Sequence, residues 1–141
     1  MKRLHYLLEV FFLFICSLTP ILWLGNGAIV MGHDSGFRMN PFGYLKTLWF
    51  SWNPYSGFGA DVSSNTGFLI AQLPEALFVK LTGSLPAGQT ISFIFWFFVI
   101  GVSMYILIKQ FFPESKYWPL RISAGVFYMY NFYLLQGWFI T

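Results

Sequence analysis

Apolar residues along this chain run in long blocks. The first block, Leu4 to Leu24, reads LHYLLEVFFLFICSLTPILWL and follows the basic start Met1-Lys2-Arg3. It matches the roughly 20 residues that a helix needs to cross the hydrocarbon core of a bilayer. A cleaved signal peptide is the rival reading, but the block exceeds the usual core of about 7–15 residues, and no clean small-x-small site follows it. The block is therefore expected to be a membrane anchor. Glu9 lies in its first third, where a carboxylate is expected to snorkel toward the near interface.

The second block, about residues 89–109, contains ISFIFWFFVIGVSMYILI without a charge and ends at Lys109. The third, about 122–141, is also uncharged, and its Asn131 and Gln136 suit it to packing against other helices. Between them KQFFPESKYWPLR sets Lys109, Lys116 and Arg121 against Glu114, with Pro113 and Pro119 preventing one continuous helix. This basic turn is expected on the cytoplasmic side.

Placing that turn inside decides the status of Thr66 to Gly83, TGFLIAQLPEALFVKLTG. A crossing there would put the 109–121 turn outside, against the positive-inside bias. The segment is short, carries Pro74-Glu75 at its centre and has Lys80 near its end. It is expected to lie at the interface or to re-enter rather than to span. The predicted fold is an all-α integral membrane protein with spans at about 4–24, 89–109 and 122–141. Its N-terminus is cytoplasmic, and residues 25–88 form an extracytoplasmic loop with short juxtamembrane helices.

The loop from 25 to 65 differs in kind from the rest. Gly32-His33-Asp34-Ser35-Gly36 brings an acid and an imidazole together between glycines, Asn40-Pro41 and Asn53-Pro54 signal turns, and Gly57 and Gly59 suggest a tight loop. In PFGYLKTLWFSW, the residues Phe42, Leu45, Leu48 and Trp49 recur at helical spacing, as in a short amphipathic helix resting on a membrane.

Composition sharpens this picture. Of 141 residues, 57% are hydrophobic, 23% aromatic and 9% charged, too few charges to cover a water-soluble surface. The net charge of +3 is scattered and makes no phosphate-binding stripe, so nucleic acid is not an expected partner. Cys16 is the one cysteine, which excludes a disulfide framework and a Cys/His metal set. No glycine-rich phosphate loop, HExxH or nucleophile elbow is present. The chain stops at Phe139-Ile140-Thr141 within an apolar run, which predicts a longer gene product.

Asp34 is the candidate for catalysis. A carboxylate near the bilayer, partly desolvated, has a raised pKa and suits a general base acting on a hydroxyl. The competing reading is an Asx-turn or a helix N-cap. His33 is either a proton partner or phosphate contact, or simply solvated. Arg38 and Lys46 either hold a phosphate or anchor the loop at the interface. Asp61 is a weaker second carboxylate. Trp49, Trp52, Tyr44 and Tyr55 form either a sugar-stacking wall or an aromatic belt.

The order of a first span, GHDSGFRMNPFGYLKTLWFSWNPYSGFGADVSSNTGFLIAQLPEALF, and spans joined by a basic turn with RISAGVFYMYNFYLL resembles the N-terminal region of GT-C-fold, lipid-linked-sugar-dependent glycosyltransferases, in particular the large arabinofuranosyltransferases. The elements that carry the resemblance are Asp34, the Trp52-Asn53-Pro54 turn with Gly57 and Gly59, and Leu73-Pro74. It implies that Asp34 is a catalytic aspartate on the extracytoplasmic face. It would deprotonate an acceptor hydroxyl as a polyprenyl-phosphate sugar donor is attacked, with His33, Arg38 or Lys46 neutralising the phosphate. Implied partners are membrane lipids, the donor and an envelope glycan or glycoprotein acceptor; no cofactor is implied, and a lone aspartate makes a strong divalent-cation site unexpected. Most spans of such an enzyme lie outside this sequence, which implies that this part alone is inactive. Two other readings are a non-catalytic transporter or flippase-like subunit in the plasma membrane, and a small membrane protein that oligomerises through its aromatic helices.

Overall fold

The computed structural model describes residues 2–24, 27–29, 39–50, 52–53, 59–61, 67 and 69–131. They are almost entirely helical: α1 (Lys2–Ser17), α2 (Pro20–Leu24), α3 (Pro41–Leu48), α4 (Leu69–Thr82), α5 (Leu85–Phe111) and α6 (Trp118–Met129). One two-residue ladder joins β1 (Trp52–Asn53) to β2 (Ala60–Asp61), antiparallel, with Trp52 opposite Asp61 and Asn53 opposite Ala60. The chain divides into two compact units, Met1–Asn26 with Phe93–Thr141, and Gly27–Ser92.

Among the described residues two helices are long and apolar enough to cross a membrane, Leu4–Leu24 and Leu85–Phe111, and in each 28% of the most apolar window is buried. The rest of those surfaces is open, with Leu4, Leu7, Leu8, Phe11, Ile15 and Leu22 exposed in the first helix. The core helix of a soluble protein would be covered instead. At about 1.5 Å per residue, α5 is ~40 Å long, more than the ~30 Å hydrocarbon core. It begins at Leu85, ahead of the expected residue 89, because Ser84 caps its first turn by accepting from the Ala87 N–H at 3.5 Å and Pro86 fits that turn. The expected third span is described only as far as α6 and Asn131.

The first apolar block is broken rather than continuous. Pro20 has no N–H to give the carbonyl of Cys16, four residues earlier, so the helix turns at Leu18-Thr19 and resumes as α2. The freed carbonyl accepts from Thr19 Oγ1 at 2.8 Å and from the Tyr130 hydroxyl at the end of α6. A backbone group in an apolar setting is thereby satisfied from another helix.

In the first unit α1 runs parallel to α6 and antiparallel to α5. At one end Tyr6 donates to the Pro113 carbonyl and lies under the Lys109 ammonium, 3.7 Å from the ring centre. At the other end Trp23 and Tyr130 both pack edge-on against Phe97. Midway the helices meet closely at Gly125, where a Cβ would stand 2.9 Å from the Gly101 carbonyl oxygen and 3.1 Å from Leu13. Small residues at such crossings let backbones approach where lipid gives no hydrophobic drive for association.

In the second unit Asn40 opens α3: its side chain accepts from the Gly43 N–H at 2.9 Å and Pro41 takes the first turn. The expected turn is therefore a helix start. α3 packs on α4, and α4, 14 residues or about 21 Å long, is too short to span. It ends at Gly83, whose φ of +65° suits a residue without Cβ. The chain then doubles back so tightly that a Cβ on Gly88 would sit 2.5–2.6 Å from the Val79 backbone.

Candidate functional site

Asp34, His33 and Arg38 lie outside the described residues, as does Tyr55. Of the sequence-derived contacts Lys46 is described, on α3. Phe42, Leu45, Lys46, Trp49 and Phe50 border an open cavity of about 400 Å³ that is otherwise apolar. Trp49 and Trp52 are exposed and Tyr44 is half-buried. Asp61 contributes its backbone to the ladder opposite Trp52.

A buried charge pair that sequence reasoning missed occupies the first unit. Arg121 donates from Nε to Glu9 Oε2 at 2.9 Å and from Nη2 to Glu9 Oε1 at 2.7 Å, and the two side chains are 0% and 2% exposed. Nη1 donates to the carbonyls of Phe112 and Glu114, at 3.0 and 2.9 Å. The guanidinium thus ties α1, the end of α5 and the following turn to α6. His5 Nε2 comes within 3.4 Å of Glu9, and the rings of Tyr6 and Tyr105 stand 5.5 and 6.0 Å from the guanidinium carbon.

Two expectations are corrected here. Glu9 does not snorkel to the interface; it is held inside the helix group because a fully charged partner reaches it in bidentate geometry. Nor does Arg121 belong to the solvent-facing basic turn. That turn keeps Lys109 and Lys116, and Lys116 pairs at 2.9 Å with the exposed Glu114. No sequence signal joined Glu9 to Arg121; each alone resembles an interfacial charge.

A second missed residue is Glu75 on α4, 1% exposed, with no described donor on either carboxylate oxygen. Burial pushes its carboxyl up to about 7, since an ionised group without a partner is poorly stabilised away from water. Gln72, Gln89 and Ser92 are buried on the same unit, and the Ser92 hydroxyl donates to the Gly88 carbonyl at 2.8 Å. Among the described residues no group of three or more His, Cys, Asp and Glu side chains could hold a metal ion.

No protein-family model, curated protein or solved structure matches this chain.

Proposed function

We propose that this chain is the N-terminal membrane part of a GT-C-type glycosyltransferase, transferring a sugar from a polyprenyl-phosphate donor to an envelope glycan or glycoprotein acceptor on the extracytoplasmic face. The observation that supports it best is the antiparallel pairing of α1 and α5. Tyr6 near the start of α1 meets Lys109 near the end of α5, so the two helices run in opposite directions. Lys109 and Lys116 lie at that end, where α1 also begins, and the positive-inside bias assigns it to the cytoplasm in this reading. In this reading the segment with Asp34 and α3 is extracytoplasmic, where lipid-linked donors are used. A third span over 122–141 is part of this reading.

In the proposed reaction Asp34 accepts the proton of an acceptor hydroxyl. The oxygen attacks the anomeric carbon, its new bond forming as the bond to the donor phosphate breaks, and polyprenyl phosphate leaves. Lys46, His33 and Arg38 offset the charge on that phosphate. The test is transfer of a labelled sugar by membranes carrying the intact gene product. Asp34→Asn is expected to abolish transfer while expression and insertion stay normal; transfer at the wild-type rate would remove Asp34 from the mechanism.

One observation favours a second reading, a non-catalytic transporter or flippase-like subunit: Glu75, buried with no described donor, since buried ionisable groups in membrane proteins commonly serve ion or substrate passage. That reading expects Glu75→Gln to disable the protein and Asp34→Asn to leave it working.

A further inference from the structure

Helix α3 is apolar on two faces. Pro41 and Leu48 are buried on one of them. Residues 42, 45, 46, 49 and 50, spaced i, i+3, i+4, i+7, i+8, form the other, which lines the open cavity and leaves Trp49 70% and Phe50 65% exposed. An apolar stripe of this kind marks a binding surface.

Its charge says what covers it. Lys46 lends its aliphatic stem to the cavity wall, which is wholly apolar, and Lys80, from the last turn of α4, holds its ammonium 5.7 Å from the centre of the Phe42 ring. Glu75, the acid whose side chain is described in this unit, is buried and forms no ion pair with either lysine. We propose that the open face of α3 seats an acidic phospholipid, its acyl chain along Phe42, Leu45, Trp49 and Phe50 and its phosphate between Lys46 and Lys80. A second copy of the chain meeting this face symmetrically would set lysine against lysine. A free phosphate would leave the aromatic stripe uncovered. A lipid with an anionic headgroup satisfies both, and Trp49 is a residue type that favours the headgroup level. Lys46 is also given to the donor phosphate under the proposed function; the two assignments are alternatives for this residue, and the polyprenyl phosphate comparison below separates them.

The test uses the full chain with Trp49 as its sole tryptophan, through Trp23→Phe, Trp52→Phe, Trp96→Phe, Trp118→Phe and Trp138→Phe. It is reconstituted in phosphatidylcholine vesicles that contain acyl-brominated phosphatidylglycerol or, at the same fraction, acyl-brominated phosphatidylcholine. Trp49 emission is expected to be quenched at several-fold lower mole fraction by the acidic lipid. That preference should fall by roughly fivefold for each of Lys46→Gln and Lys80→Gln. Equal quenching by the two lipids overturns the proposal, and so does absence of quenching, the result expected if a second copy covers the face. Polyprenyl phosphate protecting Trp49 at trace fraction while phosphatidylglycerol does nothing also overturns it, in favour of a donor site. The wild-type chain gives a check free of tryptophan substitutions: released from nanodiscs of equal phosphatidylglycerol and phosphatidylcholine, it should retain the acidic lipid in intact-mass spectra. Retention of both lipids alike would contradict the proposal.

Discussion

Arg121 grips Glu9 across 112 residues of sequence, using Nε and Nη2 on the two carboxylate oxygens at 2.9 and 2.7 Å. Removing one partner leaves a buried charge without compensation, which costs about 3–5 kcal/mol. Arg121→Met and Glu9→Leu are each expected to lower the unfolding temperature in detergent markedly. The combined variant Glu9→Leu with Arg121→Met should recover most of the loss, because two packed apolar side chains need no charge partner. Losses that simply add in the double variant would show that the pair is not coupled.

The same contact, with Tyr6 beside Pro113 and Lys109, sets the start of α1 and the 112–117 turn at one end of the first unit. In a Cys16→Ser background, Lys2→Cys and Ser115→Cys are expected to resist a membrane-impermeant maleimide in intact cells and to react after permeabilisation. Gly27→Cys should react in intact cells. Opposite labelling of positions 2 and 115 would contradict the antiparallel arrangement of α1 and α5.

The Cys16 carbonyl, freed by Pro20, depends on Thr19 and on the Tyr130 hydroxyl. Tyr130→Phe is expected to lower stability by ~1 kcal/mol, the net value of a typical hydrogen bond. In a Pro20→Ala background the restored helical N–H supplies the carbonyl, so the same substitution should have little effect. Equal losses in both backgrounds, by thermal unfolding in detergent, would place the role of Tyr130 elsewhere.

Glu75 links stability to pH. Burial raises its carboxyl from an ordinary 4.5 to about 7, so between those values the folded protein holds a proton that the unfolded chain has released. Its contribution is therefore fully present below 4.5 and is lost as pH rises through about 7. At about 1.4 kcal/mol per pH unit the whole effect is ~3 kcal/mol. Unfolding midpoints measured from pH 4.5 to 8 should decline for the wild type. Glu75→Gln should flatten that decline; an unchanged slope would mean that another group titrates.

Much of the architecture was legible from residue order, because the drive to leave water is summed along a single helix. The blocks at 4–24 and 89–109 read as spans by length and apolar content, and the helices found there are long and apolar enough to cross. The spacing of Phe42, Leu45, Leu48 and Trp49 announced α3, and the short, proline-bearing segment around Pro74 announced a short helix, α4. Sequence alone also marked Asp34, His33 and Arg38, which lie outside the described residues.

What tertiary structure alone decided is how the isolated polar groups are treated. Glu9 and Arg121 each look like an interfacial charge in sequence, since a charge in an apolar run carries no record of its partner. Only the parallel course of α1 and α6 brings the two side chains together and turns two costly groups into one clamp. Likewise Pro20 foretells a freed carbonyl but not that Tyr130 will answer it. Glu75 stands beside a proline in a short helix, and nothing in that order tells whether water reaches it; packing closes it off and changes its proton affinity.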